Sequence, residues 1–168
     1  MGIVYAAPEL CERLNPAGVG WYSVPDCFTP DRLERYKLKP GAGRLCTGMP
    51  NFGSMYVLRE GLKFLLAAGV ENIFHDLAPL VARVRSELAS LGLAMLTPPD
   101  ADCASGIVAF EHPRAREISA ALEREGVIVW GGDGRVRCSV HLYNDESDIE
   151  RYIDRLKFVL ARMDGAHA

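Results

Sequence analysis

The chain has 168 residues, of which 49% are hydrophobic and 24% are charged, and its formal net charge at pH 7 is −3. This balance predicts a globular protein with one domain, or a small domain with an attached segment, that can bury a core without disulfides. The slight negative charge and the absence of Lys/Arg runs argue against nucleic acid and anionic membranes as partners.

The cysteines and histidines show no metal-binding spacing, so the sequence predicts no metal site. The five cysteines are odd in number and widely scattered, which predicts reduced thiols rather than a disulfide framework. The N-terminus lacks the features of a signal peptide, and no apolar run is long enough to span a bilayer. These observations together predict a cytoplasmic protein.

The first 52 residues differ from the rest because they carry most of the ten prolines and little periodicity. We predict a buried strand over residues 3–6, a short helix over 8–14, and largely irregular chain over 15–39 with a helical turn at 30–36. So long an irregular opening is typical of the tail of a larger domain.

From residue 54 onward the apolar periodicity is regular and predicts a compact α+β domain. Two helices end at Gly69 and Gly92, and a last helix is capped by Asn144 or Asp145, with Asp148 as the capping-box acid. The segments between them are predicted to be strands at 94–96, 106–110, 127–130 and 135–139, a helix at 113–125, and a hairpin turn at 131–134. A small sheet covered by helices on one face follows from this order.

The predicted strand 135–139 carries the candidate chemistry. Strand alternation places Val136 and Cys138 on an apolar face, and Arg135, Arg137 and Ser139 on the opposite face. The pattern alone fits an ordinary solvated sheet face. It also fits an anion site, since a guanidinium on a rigid strand can hold a carboxylate through two parallel hydrogen bonds.

Residues 135–149, Arg-Val-Arg-Cys-Ser-Val-His-Leu-Tyr-Asn-Asp-Glu-Ser-Asp-Ile, resemble the C-terminal signature of the class V aminotransferase family. These fold-type-I pyridoxal-phosphate enzymes include cysteine desulfurases, kynureninase-like and isopenicillin-N-epimerase-like proteins. The resemblance implies that Arg137 binds the α-carboxylate of the substrate. Arg135 matches no functional position of the family and is interpreted as a surface residue.

Two further segments resemble the same family. Residues 44–52, Arg-Leu-Cys-Thr-Gly-Met-Pro-Asn-Phe, are similar to its Arg-Phe-Glu-x-Gly-Thr-Pro-Asn segment. The resemblance implies that Gly48 and Met49 approach the cofactor phosphate across a dimer, with Met49 in place of the threonine hydroxyl. Residues 2–24 resemble the stretch that follows the cofactor lysine.

The resemblance covers nearly the whole chain but only the later part of the family's length. It implies a tail of the large pyridoxal-phosphate-binding domain at 1–52, connecting helices at 53–92, and a small C-terminal domain at 93–168. The cofactor, pyridoxal 5'-phosphate, would then attach to a Schiff-base lysine that precedes this chain, so we expect no catalytic residue within it. The four lysines match none of the family's cofactor positions and are interpreted as surface residues: Lys37, Lys39, Lys63 and Lys157.

The function expected from the resemblance is that of the C-terminal portion of a pyridoxal-phosphate enzyme acting on an amino acid. It would work as a homodimer or with a complementing N-terminal chain, and would be inactive alone. Transamination, epimerisation and elimination all remain open. The short 131–134 connection has no room for the nucleophilic cysteine of desulfurases and favours the isopenicillin-N-epimerase-like branch.

Three alternatives to a complete catalytic role stay open at the level of sequence. The chain is also consistent with a non-catalytic remnant, a stand-alone binding or dimerisation domain, or one half of a split enzyme. The two tryptophans, Trp21 and Trp130, are interpreted as packing residues.

Overall fold

The structure is a computed structural model that describes residues 3–31, 34–100 and 104–165. The helices are α1 (Pro8–Arg13), a 3₁₀ helix (Gly41–Leu45), α2 (Phe52–Ala68), α3 (Val70–Ser90), α4 (Ala115–Arg124) and α5 (Glu146–Gly165). The strands are β1 (Ala94–Met95), β2 (Ile107–Glu111), β3 (Trp130–Gly132) and β4 (Arg135–Ser139).

The chain divides into two compact units, Met1–Phe64 and Leu65–Ala168. The first unit contains α1, the 3₁₀ helix and most of α2. The second contains the sheet, α3, α4 and α5. The three-part division at residues 52 and 92 stays a prediction.

The second unit confirms the α+β fold. Its four strands form an antiparallel sheet in the order β1-β2-β4-β3. Along β2 and β4 alternate side chains are buried, among them Val108, Phe110 and Val136, each with no exposed surface. These side chains pack with apolar residues of α3, α4 and α5 such as Leu88 and Leu156. Burial on one face leaves the other face of the sheet open to solvent.

Two strand predictions are wrong. Residues 3–6 form no strand, and Val4 is 84% exposed. A strand needs a partner to pair with, and the sheet found among the described residues lies in the other unit. The strand predicted at 127–130 instead begins at Trp130 and continues to Gly132. The turn has only two residues, Asp133 and Gly134, with φ of 49° and 72°. Because both turn residues adopt this left-handed conformation, β3 and β4 stay paired up to the residues that flank the turn.

The helix boundaries agree with the sequence signals. Positive φ at Gly69 and Gly92 marks the ends of α2 and α3. Asp145 Oδ1 accepts the N–H groups of Ser147 at 2.9 Å and Asp148 at 3.2 Å. Asp148 Oδ2 accepts the N–H of Asp145 at 3.3 Å, which completes a capping box at the start of α5. The helical turn predicted at 30–36 lies partly outside the described residues.

Across the described part of the chain, no single helix is both long and apolar enough to cross a membrane. The consecutive helices α2 and α3 reach that length and composition only when they are taken together as a bent pair.

Candidate functional site

Arg137 lies on the solvent-facing side of β4, as the alternation predicts. Val136 and Cys138 on either side of it are buried, whereas Arg135 and Ser139 share its exposed face. Strand β4 is central in the sheet and pairs with β2 over its whole length and with β3 from Arg135 to Arg137. The arginine therefore stands on backbone that is hydrogen-bonded on both edges.

Trp130 is the cross-strand neighbour of Arg137 on β3. The guanidinium carbon of Arg137 lies 5.3 Å from the centre of the Trp130 ring, and that of Arg135 lies 5.4 Å from it. Trp130 is 39% exposed, so it belongs to the solvent face and not to the core. Trp21 is 70% exposed and its ring centre lies 6.0 Å from that of Phe28, so both tryptophans pack at the surface and neither is a core residue.

The two arginines of this face differ in their acidic neighbours. Arg135 Nη2 lies 4.0 Å from Asp133 Oδ2. In residues 3–31, 34–100 and 104–165, no carboxylate comes within 4.0 Å of the Arg137 guanidinium. The positive charge of Arg137 is therefore available to an external anion, whereas that of Arg135 is partly offset.

A glycine brings β3 close to helix α4. A Cβ atom at Gly131 would lie 2.2 Å from the Ala115 carbonyl oxygen and 2.5 Å from Ser119 Oγ. Only a hydrogen fits there, so Gly131 serves the packing of backbone against backbone. The sequence prediction assigned this residue to the hairpin turn and missed that role.

Behind the arginine face, Cys138 and Tyr152 form a buried pair. Both side chains are under 10% exposed. Burial raises the pKa of the Cys138 thiol from 9.0 to about 11. Burial, followed by the charge of Cys138 and a hydrogen bond to it, also raises the pKa of the Tyr152 hydroxyl. A protonated, inaccessible thiol is a core group and not a nucleophile, as the alternation pattern indicates.

We expect the free energy of unfolding to fall as the pH rises above about 9. Below that pH both states keep the Cys138 proton; between 9.0 and about 11 the unfolded chain loses it and the folded chain does not. The loss of stability approaches about 1.4 kcal/mol per pH unit. Denaturant titrations between about pH 8.5 and 9.5 measure it, below the ordinary pKa of 10.0 near which the buried Tyr152 hydroxyl would add to the loss.

The exchange Cys138→Ala should flatten this pH dependence. The exchange Cys46→Ala, at an exposed position, is the matched control and should leave it unchanged. An equally steep decline in Cys138→Ala would show that another group is responsible.

In the first unit, the segment with Gly48 and Met49 is exposed and anchored just before them. The buried Ser23 hydroxyl donates to the Cys46 carbonyl oxygen at 2.9 Å and accepts the Gly20 N–H at 3.1 Å. A Cβ atom at Gly48 would meet no heavy atom within 4 Å. The Met49 side chain is 75% exposed. The backbone at Gly48 is thus held in place while it faces open space.

Arg44, the first residue of the family-like segment, has a structural role. Its Nη1 donates to the carbonyl oxygens of Cys11 at 2.8 Å and Glu12 at 2.7 Å, at the C-terminal end of α1. Its Nη2 lies 3.4 Å from Glu12 Oε2. Sequence reasoning did not find this contact, because its two ends are more than thirty residues apart.

Three of the four lysines have neighbours that fit surface positions. Lys63 donates to Glu60 at 2.9 Å, and Lys157 donates to Glu87 at 3.2 Å. Lys39 Nζ lies 5.6 Å from the centre of the Tyr22 ring. Within the described ranges, no three His, Cys, Asp or Glu side chains are arranged to hold a metal ion.

Comparison with known proteins identifies the fold to which this geometry belongs. The family model "Kynureninase C-terminal domain" matches residues 77–156. A probable cysteine desulfurase of Pyrococcus abyssi is 25% identical over 94% of this chain and 42% of its own length. The chain therefore has the fold of the C-terminal part of the class V aminotransferases, the family indicated by its sequence motifs.

Solved structures agree on the fold. The apo cysteine desulfurase of Thermococcus onnurineus NA1 superposes with a TM-score of 0.73 at 24% identity, over 94% of this chain and 42% of that one. A mutant of C-DES with glycine covalently linked to its PLP cofactor superposes with a TM-score of 0.71 at 21% identity, over 90% and 40% of the two chains. The chain spans about two fifths of the length of these relatives.

Proposed function

We propose that this chain is the carboxylate-binding part of a pyridoxal-phosphate enzyme that acts on an amino acid. The observation that carries the proposal is the Arg137 guanidinium, which stands exposed on a central strand without an acidic partner among the described residues. The relatives include cysteine desulfurases and a kynureninase, and one neighbour holds glycine on its PLP cofactor. A single guanidinium without an acidic partner suits a ligand that carries a carboxylate, as an amino acid does.

The residues of this chain would bind and orient the substrate. The planar guanidinium of Arg137 offers two parallel N–H donors to the α-carboxylate, in a geometry that a lysine ammonium cannot reproduce. Because β4 is hydrogen-bonded on both edges at Arg137, this arginine would hold the Cα atom of the bound amino acid at a fixed position. Pyridoxal phosphate, when bound, supplies an electron sink for bond cleavage at that atom.

The exposed backbone at Gly48 fits a phosphate contact from the side of a partner subunit. Among the described residues, no heavy atom lies within 4 Å of the place where a Cβ atom at Gly48 would be. Met49 contributes no hydroxyl, so a contact at this one position would come from its backbone N–H group. The enzyme would form a homodimer or combine with a complementing N-terminal chain.

The reaction proposed is one that needs no nucleophilic cysteine from the turn before β4. That turn consists of Asp133 and Gly134 only. Transamination, epimerisation and elimination all meet this condition and are the reaction types we propose to assay. The isopenicillin-N-epimerase-like branch stays a prediction within that set.

The exchange Arg137→Lys tests the proposal. In the assembled holoenzyme we expect the KM for the amino acid to rise by about 10- to 150-fold, the equivalent of about 1.5–3 kcal/mol for hydrogen bonds to a charged group. Lysine keeps the positive charge but loses the bidentate fork, so the effect reports geometry. Steady-state kinetics with a panel of amino acids measure it.

The matched control is Arg135→Lys, on the same face of the same strand. Because Arg135 lies beside Asp133, its exchange should change KM by less than about twofold. If Arg137→Lys left the kinetics of the holoenzyme unchanged, the role of Arg137 would be rejected.

A second test concerns covalent attachment of the cofactor. We expect the chain alone, after incubation with pyridoxal phosphate, reduction with borohydride and dialysis, to carry no stoichiometric adduct at any single lysine. The surface contacts of Lys63 and Lys157 with Glu60 and Glu87 support this expectation. Peptide mass spectrometry locates any adduct. One adduct per chain at a single lysine would overturn the placement of the Schiff-base lysine outside this chain.

A further inference from the structure

The Trp130 ring occupies a defined place on the open sheet face. Trp130 and Arg137 are paired directly across β3 and β4, and the guanidinium carbon lies 5.3 Å from the ring centre. This distance is within the range of a cation–π contact. The indole therefore forms one wall against which the Arg137 side chain rests.

Gly132 provides the room that this ring needs. A Cβ atom at Gly132 would lie 2.9 Å from Cζ2 and 3.1 Å from Cη2 of the Trp130 indole. Residues two apart on a strand share one face, so any side chain at 132 would compete with the ring for the same space. The two adjacent glycines thus have separate roles: Gly131 lets α4 approach, and Gly132 lets the indole lie along its own strand.

Contact with a ring face leaves the hydrogen-bonding capacity of an arginine intact. A tryptophan ring offers no lone-pair acceptor, so a cation–π contact with it does not take up the N–H donors in the way a carboxylate does. A carboxylate neighbour would instead occupy donors, as Asp133 can for Arg135. Trp130 can therefore restrict the long Arg137 side chain without using the groups that would grip a substrate.

We propose that Trp130 is a positioning residue, which holds the Arg137 guanidinium ready to receive the substrate carboxylate, and that Gly132 sets the orientation of the ring. The inference rests on the proposed function, because it assigns the carboxylate to Arg137. Restricting the side chain before binding reduces the conformational entropy lost when the substrate binds.

Kinetics of the holoenzyme test whether Trp130 affects substrate binding through Arg137. Trp130→Leu should raise the KM for the amino acid by about two- to fivefold, the size expected for one exposed cation–π pair, while kcat changes by less than about twofold. Trp130→Phe should restore part of the loss because it returns a ring face. Gly132→Ala should act like Trp130→Leu although the tryptophan is still present. Ile128→Leu, at a position two residues earlier that is 87% exposed, is the control.

A double substitution separates positioning from general damage to the fold. In an Arg137→Met background, Trp130→Leu should have no further effect on KM, since the group it positions is gone. An equal effect of Trp130→Leu with and without Arg137 would overturn the inference. If Arg137→Lys itself had no effect, the proposed function would fail first.

NMR of the chain alone tests the contact between Trp130 and Arg137 without an activity assay. The side-chain protons of Arg137 should show upfield ring-current shifts that disappear in Trp130→Leu and shrink in Gly132→Ala, with the backbone spectrum otherwise retained. Arg137 side-chain resonances at random-coil positions in the unsubstituted chain would show that the contact with Trp130 is absent. That result would not depend on the proposed function.

Discussion

The exchange Phe110→Ala is expected to lower the free energy of unfolding of the second unit by about 3–5 kcal/mol. Phe110 lies within β2, has no exposed surface, and is the cross-strand partner of Val136 on β4. Removing its ring opens a cavity beneath the strand that carries Arg137. Interior packing refills such a cavity only in part, so the transfer and cavity costs add.

Denaturant unfolding followed by circular dichroism measures this loss. Phe158→Ala on α5 is a matched control, since Phe158 is 43% exposed and lies beside Arg162 at the surface. We expect it to cost less than about 1 kcal/mol. Comparable losses in the two variants would mean that Phe110 is not the centre of the core.

The exchange Gly131→Val is expected to cost about 3 kcal/mol, at the upper end of the range for overpacking. The first atom of the new side chain would meet the Ala115 carbonyl oxygen at 2.2 Å, and backbone cannot rotate away as a flexible side chain does. Strand β3 would have to separate from α4. We therefore expect a lower Tm together with weaker protection of the β3 amides in hydrogen exchange.

Gly61→Val provides the same chemical change without the clash. Gly61 lies within α2, and a Cβ atom there would meet no heavy atom within 4 Å. Valine is a slightly better helix former than glycine, so the change in stability should stay within about 0.5 kcal/mol. An unchanged Tm in Gly131→Val would refute the close approach of β3 and α4.

Features encoded by neighbouring residues could be predicted from the sequence. The Asp145 and Asp148 capping box and the burial alternation around Arg137 depend on spacings of two or three residues, and both are present. The helix boundaries at Gly69 and Gly92 are equally local. Periodicity of this kind is imposed by the geometry of a single element.

Features that join distant segments could not be predicted in this way. The strand predicted at 3–6 has the right residue types, but β structure requires a partner that a single segment cannot reveal. Strand β3 was placed too early because Gly131 and Gly132 are turn-forming residues by type. Only the positions of Ala115 and of the Trp130 ring explain them as packing glycines.

The candidate site shows the same division. Alternation alone places Arg135 and Arg137 on one face, and the family resemblance selects Arg137. The difference in acidic neighbours and the shared Trp130 ring become visible only when β3 is paired with β4. Pairing register is a property of two segments and their turn, not of either strand alone.

The two-residue turn at Asp133 and Gly134 limits which changes of length the β3–β4 hairpin can tolerate. Such a turn fixes the register of β3 against β4, and side chains alternate strictly between the two faces of the sheet. A length change of one residue that shifted β4 would send Arg137 towards the core and Cys138 towards solvent. A substitution on these strands changes one side chain on one face, whereas an odd insertion or deletion in the turn would exchange the two faces at once.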